Sequence, residues 1–399
     1  MLRHRRIFLV ATLIDALGSG LWVPFALLFL VHGQGMGLLD AGTSLSTGAL
    51  LALVSGPATG AAMDRFGPRA LLIAGNLVRI AAFCAYPLVH TSWQVIVVSV
   101  VAGFGDRLFW TCNAPMVARL TSGGETDRML ATQTVGRFAG AGIGAAATAV
   151  LPTITSPWAF HLLAYVNAAS FAVAAVLIGL LPRAEARVDK PAGSWRTVLT
   201  NRPFTGFCVT HTAFTLASAS KFAVLPIVVR DLLHGPQWIA GTAITLGTVV
   251  VVLGQRPIVA LLAGRSRTTG LIGAATLFAV SFALLIPLEM VPLHGAAGLI
   301  LVTSLGFSVA EAMFGPTGTA TAAAAAPPGA EGRASSIFQL SWGLPVALAP
   351  GLLAVLLSVS NALTWSVLAL TCTAAIPALL VLRKKLPHAL REPSPAVAE

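Results

Sequence analysis

Residues 60–69 read Gly60-Ala61-Ala62-Met63-Asp64-Arg65-Phe66-Gly67-Pro68-Arg69, a short charged turn set between two apolar runs at 42–63 and 70–90. Each run is about 20 residues, the length an α-helix needs to cross a hydrocarbon core of ~30 Å. Within the turn, Gly60 permits close helix approach. Asp64 suits the positive end of a neighbouring helix dipole, and Gly67 allows a tight reversal of the backbone. The turn therefore predicts two membrane-spanning helices joined by a compact loop.

Outward from this turn the same alternation continues along the chain. Spans are predicted near 7–30, 42–63, 70–90, 94–118, 131–151, 158–181, 204–229, 238–262, 269–288, 295–320, 335–358 and 361–382. Composition agrees: charged residues are 10% and hydrophobic residues 56% of 399 positions, with mean hydropathy +0.85. A soluble domain carries about a quarter charged residues, so this chain cannot cover a water-facing surface and is not a soluble enzyme. The first apolar run contains Asp15 and is followed by no small-residue cleavage site, so it is read as a retained span and not a signal peptide.

The +11 net charge could belong to a nucleic-acid binder, but its location excludes that. Basic residues sit in short loops with no interleaved aromatic stripe. Arg3, Arg5 and Arg6, Arg65 and Arg69, Arg119 and Arg128, Arg183 to Arg202, Arg265 and Arg267, Arg333, and Arg383 to Arg391 all fall at the termini or in even-numbered loops. The opposite loops hold only Arg230. By the positive-inside rule both termini are cytoplasmic. The four cysteines, Cys84, Cys112, Cys208 and Cys372, lie inside apolar runs without metal-ligand spacing, so no metal, cofactor or disulfide is expected.

The longest polar stretch, 182–203, divides the chain into a six-span bundle at 1–181 and a second six-span bundle at 204–399 with a short tail. Weak internal similarity supports that division. MDRFGPRALLIAG at 63–75 parallels AGRSRTTGLIG at 263–273, which sets Arg65 against Arg265 and Asp64 against Gly264. GFGDRLFWTCNAP at 103–115 likewise parallels GFSVAEAMFGP at 306–316.

The 60–69 segment, GxxxDRxGxR, resembles the signature loop of the major facilitator superfamily, and span number, central linker and orientation extend the resemblance over the whole chain. The resemblance implies an all-α membrane protein with twelve helices in two pseudo-symmetric bundles. It also implies a transporter of the cell inner membrane that works as a monomer by alternating access. Gly60, Asp64, Arg65, Gly67 and Arg69 would form its conformational latch, with the acid facing the eleventh helix. Leu17-Gly18 to Pro24 and the glycines at 136, 140, 142 and 144 are similar to patterns of twelve-helix drug:proton antiporters. The implied partners are a small amphipathic compound, protons and the lipid bilayer, with import of a polar metabolite, or a non-transporting membrane sensor or enzyme, as the alternatives.

Charges inside spans are costly and mark function by default. The candidates for coupling or for lining a cavity are Asp15, Asp106, Arg107, Glu311 and Lys221, with Arg79, His211 and Arg256 also embedded. Asp106 and Arg107 are adjacent and cannot share one helix face, which leaves one of them to pair with a group such as Arg79 or Asp15. Glu311 sits well inside an otherwise apolar span with no base adjacent to it in the sequence, Lys221 is expected either to serve the site or to snorkel outward, and His211 to be a packing residue. Asp15, near mid-depth, is the expected coupling carboxylate. Trp22, Phe25, Phe109, Trp110 and Phe314 are expected either to pack or to wall a ligand pocket.

Overall fold

The computed structural model describes residues 2–120, 129, 132–133, 135–136, 139–140, 142–143, 157–182, 195–262, 264–327, 330–386 and 389–390. Most of the span expected at 131–151, and the linker as far as 194, lie outside the described residues, as do Arg128, Gly144, Arg183, Arg187 and Arg391.

The described chain is helical: α1 (Leu2–Trp22), α2 (Leu38–Leu53), α3 (Gly56–Ala85), α4 (Ser92–Leu120), α5 (Pro157–Gly179), α6 (Trp195–Leu199), α7 (Arg202–Ile227), α8 (Trp238–Leu262), α9 (Arg267–Leu285), α10 (Leu293–Ala325), α11 (Glu331–Val359) and α12 (Asn361–Lys385). Among the described residues 9 helices are long and apolar enough to cross a membrane, and 10 if α1 and the bent segment Ala26–Gly33 form one span. That bend of 47° follows Pro24, whose missing N–H removes a helical hydrogen bond. Of the other two expected spans, α2 is too short alone because the helix breaks at Val54–Ser55, and most of the one expected at 131–151 lies outside the described residues.

The chain divides into two compact units. One comprises Met1–Asp189 with Ala223–Ile227 and Pro350–Val355, the other Lys190–Phe222, Val228–Ala349 and Leu356–Glu399. Inside the first, α3 packs on α4 and α5, α2 on α4, and α1 on α5. Inside the second, α9 packs on α10 and α12, and α8 on α10. The two sets of pairings correspond, so the internal repeat is present in the packing as well as in the sequence. Trp93, Trp158 and Trp238 are at least half exposed near the starts of α4, α5 and α8, where an aromatic side chain anchors at a membrane interface.

The signature turn is a kink within α3. Gly67 adopts φ 74°, in the region that glycine enters without steric cost, and Pro68 then opens the second arm with its φ already suited to a helix. Arg69 donates through Nη2 to the carbonyl of Gly179, the last residue of α5. In the second unit Gly264 has φ 79°, Arg267 donates to the carbonyl of Ala389 at 3.0 Å, and Thr268 donates to that of Leu390 at 2.8 Å. The reversal at Gly67 thus corresponds to that at Gly264, and each is followed by an arginine that donates to a carbonyl, Arg69 two residues on and Arg267 three. The sequence parallel sets Arg65 against Arg265, whereas the arginines that make these carbonyl contacts are Arg69 and Arg267. The side chain of Asp64 lies outside the described residues.

Candidate functional site

Two clusters of embedded charge are formed, one in each unit. In the first, Arg79 of α3 is buried between two carboxylates. Its Nη2 donates to Asp15 Oδ2 at 3.0 Å and to Asn76 Oδ1, and its Nη1 reaches Asp106 Oδ1 at 3.3 Å. The guanidinium lies over Phe171 of α5 at 4.1 Å and Phe109 of α4 at 5.3 Å from the ring centroids. A planar, delocalised cation can stack and pair in this way where an ammonium would not.

Glycine makes the arrangement possible. A Cβ on Gly105 would stand 2.5 Å from Arg79 Cγ and 2.8 Å from the Gly75 carbonyl, so α3 and α4 approach closely enough for Arg79 to span both acids only because 75 and 105 lack side chains.

The two acids differ in access. The Asp15 side chain is 1% exposed, whereas that of Asp106 is 51% exposed. Trp110, one turn along α4, is 52% exposed, while Trp22, Phe25, Phe109 and Phe314 are buried. Of the five aromatic residues considered, Trp110 alone presents an open ring on the same face as an accessible acid. Arg107, partly buried beside Asp106, points to another face, as adjacency requires.

In the second unit, Lys221 Nζ of α7 stands 4.0 Å from Glu311 Oε2 of α10, and Ser218 donates to Glu311 Oε1 at 2.6 Å. Glu311 therefore has a base beside it in space, because Ser218 and Lys221, three positions apart on α7, share one face. Lys221 is 5% exposed and does not snorkel. Gly247 of α8 leaves the space: a Cβ there would stand 2.8 Å from Lys221 Nζ and 2.5 Å from Ser308 Oγ. Glu311→Gln is expected to lower stability by about 3 kcal/mol, since removing one partner exposes the cost of burying the other. The double variant Glu311→Gln/Lys221→Met should recover most of it. Thermal unfolding of the purified proteins checks this, and two equally unstable variants would mean that the pair is not coupled.

His211 sits apart, with Nδ1 2.8 Å from Ser341 Oγ and the rings of Phe338 and Trp342 at 4.7 and 5.3 Å. It packs, as expected from sequence. Sequence reasoning missed the supporting residues Asn76, Phe171, Ser218 and Gly247, and also the buried network in which Gln133 donates to Thr12 at 3.0 Å and to Asn113 at 2.6 Å. Only the position of Asn76 three residues before Arg79 gave a usable signal.

Repeated helical units with paired charges buried between spans define a polytopic membrane transport protein. The family model of the Major Facilitator Superfamily matches residues 8–350, and the chain belongs to that family. It is 29% identical over 223 residues to the multidrug resistance protein MdtH of Yersinia pestis (strain Pestoides F), and equally to that of Yersinia pseudotuberculosis serotype O:3 (strain YPIII). The match spans 54% of this chain and 54% of those relatives, about half their length. Among solved structures, the fold is similar to a POT family transporter in complex with 5-aminolevulinic acid, with TM-score 0.78 at 14% identity over 97% of this chain and 96% of that one. It is also similar to the nucleoside transporter NupG, with TM-score 0.74 at 12% identity over 96% and 99%. These likenesses speak to fold alone.

Proposed function

We propose that this chain is a proton-coupled exporter of small amphipathic compounds, set in the bacterial inner membrane with both termini cytoplasmic and acting by alternating access. The observation that carries the reading is the half-open carboxylate of Asp106 beside the open ring of Trp110 on α4. An acid with an apolar aromatic neighbour suits a compound that is cationic at one end and lipophilic at the other. The similarity to MdtH supports the same class.

Depth alone pointed to Asp15 as the coupling group, but access favours Asp106. Asp15 is bonded by Arg79 and Ser19 and its side chain is 1% exposed, so protons reach it only if that cluster opens. Asp106 meets Arg79 while half of its side chain is accessible to a proton or a substrate, and competition between those two is what antiport requires. In this reading Asp15 and Arg79 position Asp106, while Asp64, Arg65 and Arg69 act in the latch.

The test is Asp106→Asn in proteoliposomes under an imposed pH gradient, with a substrate found by a growth-inhibition panel in a drug-sensitive host. Substrate binding should weaken, because the amide stands in for the protonated acid, and gradient-driven accumulation should disappear; undiminished accumulation would move coupling to Glu311. Import of a polar metabolite is the second reading, favoured by the Ser218, Lys221, Glu311 and Ser308 cluster. The panel separates the two, since an importer confers no resistance.

A further inference from the structure

The kink at Gly67 splays the two arms of α3 over α4 and opens a crevice of about 610 Å³ in the first unit. Ala58 and Ala62 line it on the first arm, Ala70 and Ala74 on the second, and Phe104 and Leu108 of α4 form its floor. Alanines at four-residue spacing face one way along each arm and are too short to fill the gap. The polar member of the lining, Thr59, is already engaged, since its hydroxyl bonds the Gly56 carbonyl at 2.8 Å and the Thr111 hydroxyl at 3.2 Å. A ligand that needs a hydrogen-bond donor finds none unspent on that hydroxyl.

The crevice has a charged rim at one end. Arg65 is exposed, its guanidinium lies 5.3 Å over the ring of Phe66, and Phe66 is 61% exposed and lines the mouth. The apolar stretch capable of crossing a membrane begins at Arg65, which puts the guanidinium at headgroup depth and the crevice below it in hydrocarbon. From Phe66 to Val78, the last lining residue on this arm, a helix rises ~18 Å. That is a little more than one leaflet's half of a ~30 Å core.

We propose that this crevice holds one acyl chain of a phospholipid with a net negative headgroup, whose phosphate is bound at Arg65. The apolar wall cannot select such a lipid, because a bilayer tail is as apolar as the alanines that would hold it. Retention and choice come from the charged end, where one basic residue near an anionic surface is worth about a fivefold preference. The inference requires only that the chain spans a membrane, and it stands whatever the substrate or direction of transport.

The experiment is native mass spectrometry of the full chain in mild detergent with phosphatidylglycerol, phosphatidylethanolamine or diacylglycerol. One phosphatidylglycerol should be retained per chain, with about fivefold preference over phosphatidylethanolamine and more over diacylglycerol. Arg65→Gln should remove the preference, and Ala74→Phe, which fills the crevice, should remove retention. Where Ala74→Phe does not fold, photolabelling of the unaltered protein with phosphatidylglycerol bearing a diazirine in its acyl chain decides, with label expected in the 56–78 segment. No retained lipid, equal retention of all three, a preference unchanged in Arg65→Gln, or label confined to other segments would overturn the proposal.

Discussion

Arg79→Met is expected to cost about 3–5 kcal/mol, the range seen when one partner of a buried ion pair is removed, against a total stability of ~5–15 kcal/mol. The cause is Asp15. Its carboxylate is 1% exposed, and without Arg79 its remaining side-chain donor among the described residues is the Ser19 hydroxyl at 3.4 Å. Asp106 suffers less, because half of its side chain is accessible. Arg79→Lys should rescue little, since an ammonium cannot pair with two acids while stacking on Phe171 and Phe109. The double variant Arg79→Met/Asp15→Asn should recover much of the loss by removing the buried charge as well. Thermal unfolding and the yield of monodisperse protein in detergent check this series. An Arg79→Met protein with an unchanged melting temperature would show that Asp15 is not buried as a charge.

The second large effect concerns a residue with no side chain. Gly105→Ala is expected to destabilise by about 1–3 kcal/mol, as overpacking does in a close-packed interior. Of the atoms its Cβ would meet, the Gly75 carbonyl at 2.8 Å is backbone, and Arg79 Cγ at 2.5 Å is held by its two carboxylate partners. The helices must separate or the guanidinium must move, and either change slackens the hold on Asp106. Gly298→Ala is the control, for a Cβ there meets nothing within 4 Å; it should be neutral or slightly stabilising. A similar melting temperature and similar transport for both variants would remove the close approach of α3 and α4 from the account.

The sequence alone determined that this is a polytopic helical membrane protein with a duplicated architecture. Hydropathy is a one-dimensional property: a helix in lipid satisfies its own backbone, so span length and loop charge can be read without knowing what packs on what. The family was likewise legible, because Gly67 is needed for a backbone angle, and such local demands leave a local trace. The embedded charges were found as a set, since an ionisable residue inside an apolar run is conspicuous whatever its partner.

Their partnerships were not legible. Lys221 and Glu311 are 90 positions apart in the chain, and Arg79 lies 64 from Asp15, so each pairing depends on helix rotation and on which glycines let two helices close up. Burial of Asp15 and exposure of Asp106 were decided the same way. Both lie inside apolar spans, and depth along a helix says nothing about the face on which the residue sits. The tertiary structure also showed that Arg69 and Arg267 make like carbonyl contacts beside the two reversals, and opened the crevice below Arg65. Those features arise from the direction of a kink and the absence of side chains, which a string of residue types carries only once the helices are placed in three dimensions.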